Sequence, residues 1–212
     1  MYDYVFFDLD GTLSDSFEGV SKGIQIALKS VGIEEDRSNM RKCMGPPIEY
    51  SFKTFWNLND EEIKIATASY REYYNKIGLF ENVPYEGIKD VLLKIKESGR
   101  KLAVTTSKPE KFTIPILDKF GMNGIFDVIA AATLDGKRTT KTDVLEYALE
   151  AFNNPDKSKV VLIGDTKFDA EGAKNVGIDC IGVLYGFGTK ESLIEAGVKD
   201  IAPTVQEIYN HI

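Results

Sequence analysis

Four aspartates in two short stretches carry the strongest chemical signal in this chain. The apolar run Tyr4-Val5-Phe6-Phe7 ends on Asp8 and Asp10 in YVFFDLDGT. The run Val160 to Ile163 ends on Asp165, with Asp169 four residues later, in VVLIGDTKFD. Continuous apolar runs of this kind read as parallel strands covered on both faces. Carboxylates at the ends of such strands have little access to water. They repel one another, and they stay ionised only beside a cation or hydrogen-bond donors. Asp8, Asp10 and Asp165 at neighbouring strand ends would form a cluster of hard oxygens suited to Mg²⁺. The plainer alternative makes each of them a turn or helix-capping residue.

Two further stretches offer groups for an anion. VTTSKP places Thr106 and Ser107 at the end of the strand KLAVTT (101–106), before a helix opened by Pro109. Capping explains a Ser or Thr there, and a helix N-terminus with free N–H groups also attracts phosphate. Lys141 opens a helix in RTTKTDVLEYAL. A lysine at that position opposes the helix dipole unless something anionic lies close by. Lys137 and Arg138 read as solvated loop charges.

The elements that must position these groups alternate between strand and helix. From about residue 85 the pattern gives a helix near 86–98 and the strand at 101–106. A helix follows that Pro115 should kink or shorten. Strands DVIAAAT (127–133), KVVLIGD (159–165) and CIGVLYG (180–186) come next, with helices after residues 141, 168 and 189. Short β-α repeats imply an α/β fold: a doubly wound parallel sheet, a Rossmann-like core, with right-handed crossovers. Residues 16 to 80 read as purely helical. Asp15 and Glu18 are placed like a capping box for the first helix, Pro47 opens a second through Trp56, and Asn59 caps a third. That third helix would turn Ile63, Ala66, Tyr70, Tyr73, Tyr74 and Ile77 inward, so the tyrosines read as core. The expected organisation is a core of residues 1–14 and 82–212 with an all-helical insertion at 15–81.

The whole chain sets broader bounds. Its 212 residues are 43% hydrophobic and 28% charged, with a net charge of −7. The acidic balance argues against a nucleic acid polymer or an anionic membrane as partner. No stretch approaches the roughly 18 apolar residues of a membrane span. The N-terminal residues lack the basic head of a signal peptide, and Cys43 and Cys180 lack metal-ligand spacing. A cytoplasmic protein, monomeric or weakly dimeric, is the expectation.

In order and spacing, DLDGT, TTSKP, Lys141 and GDTKFD resemble the four motifs of the haloacid dehalogenase superfamily of phosphatases, over essentially the whole chain. The phosphoglycolate phosphatase-like branch is the most similar. The resemblance implies that Asp8 is a nucleophile forming an aspartyl phosphate. It implies that Asp10 protonates the leaving oxygen and then activates water. Mg²⁺ would bind the carboxylates of Asp8 and Asp165 and the Asp10 backbone carbonyl, with Asp169 orienting ligands around it. Thr106, Ser107 and Lys141 would hold phosphoryl oxygens, and the helical insertion would be a cap domain.

Three other readings fit less well. Phosphosugar mutases of this fold carry a His in the first cap helix, where this chain reads FEGVSKG; its lone His211 reads as a solvated tail residue. Dehalogenases lack an acid at the Asp10 position. Phospho-acceptor signalling domains have no helical insertion and end a later strand on an Asp that DVIAAAT does not supply. The substrate expected is a small phosphorylated metabolite resembling phosphoglycolate, with a nucleoside 5′-monophosphate as the alternative. Arg41 and Gly45-Pro46-Pro47 in RKCMGPPIEYSF are the candidate specificity residues, with Lys42 and Lys53 nearby. A rigid interhelical turn explains the same segment.

Overall fold

A computed structural model describes residues 1–212. In chain order its elements are β1 (Tyr4–Phe7), β2 (Ser14–Asp15), α1 (Phe17–Ser30), α2 (Ile48–Trp56), α3 (Asp60–Lys76) and β3 (Val83–Pro84). They continue with α4 (Ile88–Glu97), β4 (Lys101–Pro109), α5 (Glu110–Lys119), β5 (Val128–Ala132), α6 (Lys141–Ala151) and β6 (Val160–Gly164). The chain closes with α7 (Lys167–Val176), β7 (Asp179–Val183), α8 (Lys190–Glu195), β8 (Asp200–Ala202) and α9 (Ile208–His211). No helix is long and apolar enough to cross a membrane.

Six strands form one sheet in the order β5-β4-β1-β6-β7-β8, with every pairing parallel. Val5, Phe6 and Phe7 of β1 are fully buried, as are Val160 to Ile163 of β6. This is the continuous burial expected of central parallel strands flanked by helices. Phe6, Ala103, Val144, Leu145, Val160 and Leu162 lie in one apolar cluster on a face of this sheet. The chain divides into two compact units, Met1–Ser14 with Pro84–Ile212, and Asp15–Val83.

The second unit is helical and has its own core. Ile24, Ala27 and Leu28 of α1 pack with Met40, Cys43, Phe52, Leu58 and Ala66. Asn59 and Glu62 cap α3 reciprocally: the Asn59 side chain accepts from the Glu62 N–H, and the Glu62 carboxylate accepts from the Asn59 N–H. Tyr70 packs against this core and stacks at 5.3 Å on the buried Tyr74.

Several local expectations give way. The box at Asp15 and Glu18 does not form. Asp15 accepts the Phe17 N–H, whereas Glu18 is drawn to the ammonium of Lys22 and to Arg37. Ile77 lies beyond the last turn of α3 and is 53% exposed. The strand beginning near Cys180 stops at Val183, and Leu184 to Gly188 form a loop. Strand β8 is only three residues long, too short for periodicity to reveal.

Candidate active site

Phe7 pairs with Val104 on one side and Ile163 on the other. Asp8 and Asp165 therefore leave the same end of the adjacent strands β1 and β6, and Thr106, within β4, lies two positions beyond the Val104 pairing. In a doubly wound sheet this end, where neighbouring connections run in opposite directions, is the place for a ligand. Asp169 joins them from the first turn of α7, and Lys141 from the first position of α6.

The carboxylates of Asp8, Asp165 and Asp169 each place an oxygen within 4.8 Å of the others. All three residues are buried, and so is Lys141. The Lys141 Nζ lies 2.7 Å from Asp8 Oδ1 and 2.7 Å from Asp169 Oδ1, and donates to the Thr105 carbonyl at 2.9 Å. An ammonium has three N–H donors, so all are engaged. Burial pushes the Asp8 carboxyl up to about 6; Lys141 opposes the rise and Asp169 adds to it. Burial, then Asp169 and Asp8, raises Asp165 well above the ordinary carboxylate range. For Lys141, burial pulls downward, but Asp169 and Asp8 outweigh it and hold the ammonium above the usual lysine range.

Asp165 is fixed from two directions. Its Oδ1 accepts from the Thr12 hydroxyl at 3.2 Å, and its Oδ2 accepts the Phe187 N–H at 2.7 Å. The loop carrying Phe187 presses on Asp165 so closely that a Cβ on Gly188 would stand 1.9 Å from the Asp165 carbonyl oxygen. From the other side Gly11, at φ +89°, would bring a Cβ within 2.1 Å of Asp165 Oδ2. Tyr185 ties loop to loop by donating its hydroxyl to the Thr12 carbonyl at 2.9 Å.

Asp10 makes a different partnership. Its carboxylate oxygens lie 2.7 and 2.6 Å from the Nζ of Lys108. Lys108 reaches it from an irregularity in β4, where the register with β5 shifts between Thr106 and Pro109. Such a bulge re-aims side chains at a strand end. The buried Thr106 Oγ1 accepts the Lys108 N–H at 3.2 Å, and Ser107, half-buried, sits between them.

The donor set fits a divalent hard cation. Asp8, Asp10, Asp165 and Asp169 face two ammoniums, those of Lys108 and Lys141, which leaves two formal negative charges unbalanced. An uncompensated charge of this size in a buried site is costly, and carboxylate oxygens are the ligands Mg²⁺ prefers. Asp169 is already committed. Its Oδ2 accepts from the Thr166 N–H and hydroxyl at 3.0 and 2.8 Å, while Oδ1 meets Lys141.

Sequence reading passes over Lys108, Thr12 and the Tyr185–Gly188 loop. Lys108 stands within VTTSKP, two residues after Thr106, and that spacing was its only signal. Arg138 is not a solvated charge: it donates from Nε to the Ala131 carbonyl at 2.6 Å and lies 3.8 Å from the Tyr147 ring. His211 pairs with Asp200 at 2.6 Å, and its side chain is 25% exposed. In the helical unit Arg41 is exposed on a short 3₁₀ helix, Arg37–Cys43, and Lys42 stands over the rings of Phe55 and Trp56. Gly45 and Pro47 are exposed and Pro46 half-buried.

Residues 5–183 match the model of the haloacid dehalogenase-like hydrolase family. A 5′-nucleotidase of Pseudomonas aeruginosa is 35% identical over 91% of this chain and 87% of its own. The tyrosine-protein kinase PtkA of Mycobacterium tuberculosis is 34% identical over 96% of this chain and 70% of its own. A phosphoglycolate phosphatase of Aquifex aeolicus is 31% identical over 86% and 85%. Among solved structures, a predicted phosphatase from Clostridium acetobutylicum superposes with a TM-score of 0.94 at 41% identity, covering 100% of this chain and 98% of that one.

Proposed function

Because the chain belongs to the haloacid dehalogenase-like hydrolase family and is a phosphatase, we propose that it hydrolyses a small phosphomonoester with Asp8 as nucleophile and Mg²⁺ as cofactor. The observation that carries this reading is the Lys141 ammonium placed 2.7 Å from both Asp8 and Asp169, beside Asp165. It holds a buried carboxylate ready at a strand end where a phosphoryl group can be received.

In this reading an Asp8 oxygen attacks phosphorus, and the bond from phosphorus to the ester oxygen breaks. The leaving oxygen takes a proton from Asp10. Forming the aspartyl phosphate removes the charge on Asp8, which frees a Lys141 N–H to turn to a phosphoryl oxygen. Thr106 and Ser107 offer hydroxyls, and the backbone at the start of α5 offers N–H groups, to the other oxygens. Water then attacks phosphorus, the bond to Asp8 breaks, and Asp10 takes the water proton. The Asp8 and Asp165 carboxylates and the Asp10 carbonyl would hold Mg²⁺, with Asp169 keeping Lys141 and the start of α7 in place. When bound, Mg²⁺ neutralises charge so that an anionic nucleophile can meet an anionic substrate.

Residues of the helical unit, Arg41 and Gly45-Pro46-Pro47, select the leaving group. A phosphoglycolate-like acid is the first substrate class. A nucleoside 5′-monophosphate is the second, favoured by the 35% identity to the Pseudomonas 5′-nucleotidase. Phosphate release from a panel of small phosphomonoesters decides between them. Asp8→Asn is the test of the chemistry. Turnover of p-nitrophenyl phosphate should fall by about 10⁴ or more, with the thermal melt unchanged in kind. Activity within tenfold of wild type would remove Asp8 from its role.

A further inference from the structure

We propose that Lys108 is a positioning residue that holds the Asp10 carboxylate as the base for hydrolysis of the aspartyl phosphate. The inference rests on the reading of Asp10 as acid and base given above. Three observations carry it. The Lys108 Nζ meets both Asp10 oxygens, at 2.7 and 2.6 Å, so the carboxylate cannot rotate about its last bond without breaking a contact. The Lys108 side chain is only 7% exposed, so water offers its ammonium little competition. Its backbone is also pinned: the Lys108 N–H donates to Thr106 Oγ1 at 3.2 Å, and its carbonyl accepts the Thr113 hydroxyl at 3.3 Å.

An ammonium on both oxygens suits one half of the cycle more than the other. Donating a proton is of little use to a leaving group that departs readily as an anion. Accepting one requires a carboxylate aimed at water, which the pair supplies. In the step concerned the water oxygen attacks phosphorus, the bond from phosphorus to Asp8 breaks with its electrons returning to Asp8, and the water proton passes to Asp10. Correct aim of a general base is worth roughly 10²- to 10⁴-fold. Losing the aim should slow this step and leave the first, phosphorylation by a substrate with a good leaving group, largely intact.

The test is pre-steady-state release of p-nitrophenol from p-nitrophenyl phosphate by K108M in the presence of Mg²⁺. The expected result is a burst approaching one product per enzyme, larger than in wild type, followed by a steady state at least tenfold slower. D10N should show the same burst, and D10N/K108M should be no slower than D10N, because the two act as a unit. A fall in rate with no larger burst, or a raised KM with kcat unchanged, would mean that Lys108 supports the fold or binds substrate, and would overturn the proposal. A burst in D10N but not in K108M overturns the proposal alone; no burst in D10N overturns the acid–base reading beneath it. K108Q, a shorter neutral donor that cannot hold both oxygens, carries the same expectation and stands in should K108M not fold.

Discussion

The Lys141 ammonium joins Asp8 to Asp169, at 2.7 Å from each, and its third N–H goes to the Thr105 carbonyl at 2.9 Å. One buried cation thus serves two buried anions and a backbone carbonyl within β4. Removing it strands both carboxylates, and breaking a buried pair from one side typically costs about 3–5 kcal/mol. K141M is therefore expected to lose stability on that scale in urea unfolding, and to lose at least ~10²-fold in kcat. A loss under about 1 kcal/mol would show that the acids are satisfied without the lysine.

The Asp8 carboxyl, pushed up to about 6 mainly by burial, makes the metal-free protein sensitive to pH. A carboxyl raised in the folded state binds protons there that the unfolded chain, with its ordinary value of 3.8, does not. Its contribution to stability is thus full below the unfolded value and is lost as pH rises towards about 6. Urea unfolding with chelator across this window should show stability falling with rising pH, and saturating Mg²⁺ should flatten the slope. An unchanged slope in D8N would assign the effect to another group.

Turnover should need a divalent metal. Exhaustive chelation is expected to abolish phosphate release, Mg²⁺ to restore it, and Ca²⁺ to restore it poorly. Ca²⁺ takes more oxygens at longer distances, which misplaces the nucleophile. Full activity in chelator removes the metal from the reading.

The loop at Gly188 should matter to metal affinity although none of its side chains is a ligand. A methyl at Gly188 would stand 1.9 Å from the Asp165 carbonyl oxygen, so strand end or loop must shift. G188A is expected to weaken Mg²⁺ binding by at least about tenfold, as loss of supporting contacts around ligands does. Calorimetric titration of Mg²⁺ reads this without reference to turnover. Wild-type affinity would mean the loop yields freely.

Replacing Arg41, or residues within Gly45-Pro46-Pro47, should lower kcat/KM for the physiological substrate by roughly tenfold or more, about 1.4 kcal/mol of transition-state binding. Hydrolysis of p-nitrophenyl phosphate should stay nearly unchanged, because its leaving group is already activated. Equal losses on both substrates would mark the segment as structural.

Much of the core was legible in the residues alone. Apolar runs of four, each leading to an aspartate, give both the strand and the place of a carboxylate at its end, because burial on both faces leaves no other place for Tyr4 to Phe7 or Val160 to Ile163. Lys141 at a helix start announced its anion by opposing the dipole, and Asp8 and Asp169 lie there. The partnerships were not legible. Only the register of β4 and β6 against β1 brings Asp165, 157 positions away, into the cluster with Asp8. Lys108 reads in sequence as one more lysine before a proline, and it becomes the partner of Asp10 because β4 shifts register beyond Thr106. The same holds for Glu18, whose local capping role lost to Lys22 and Arg37, and for Arg138, which packs on Tyr147. Periodicity and residue type report what each segment must bury. Which charge meets which is decided by contacts between segments distant in the chain, and those exist only once the sheet has formed.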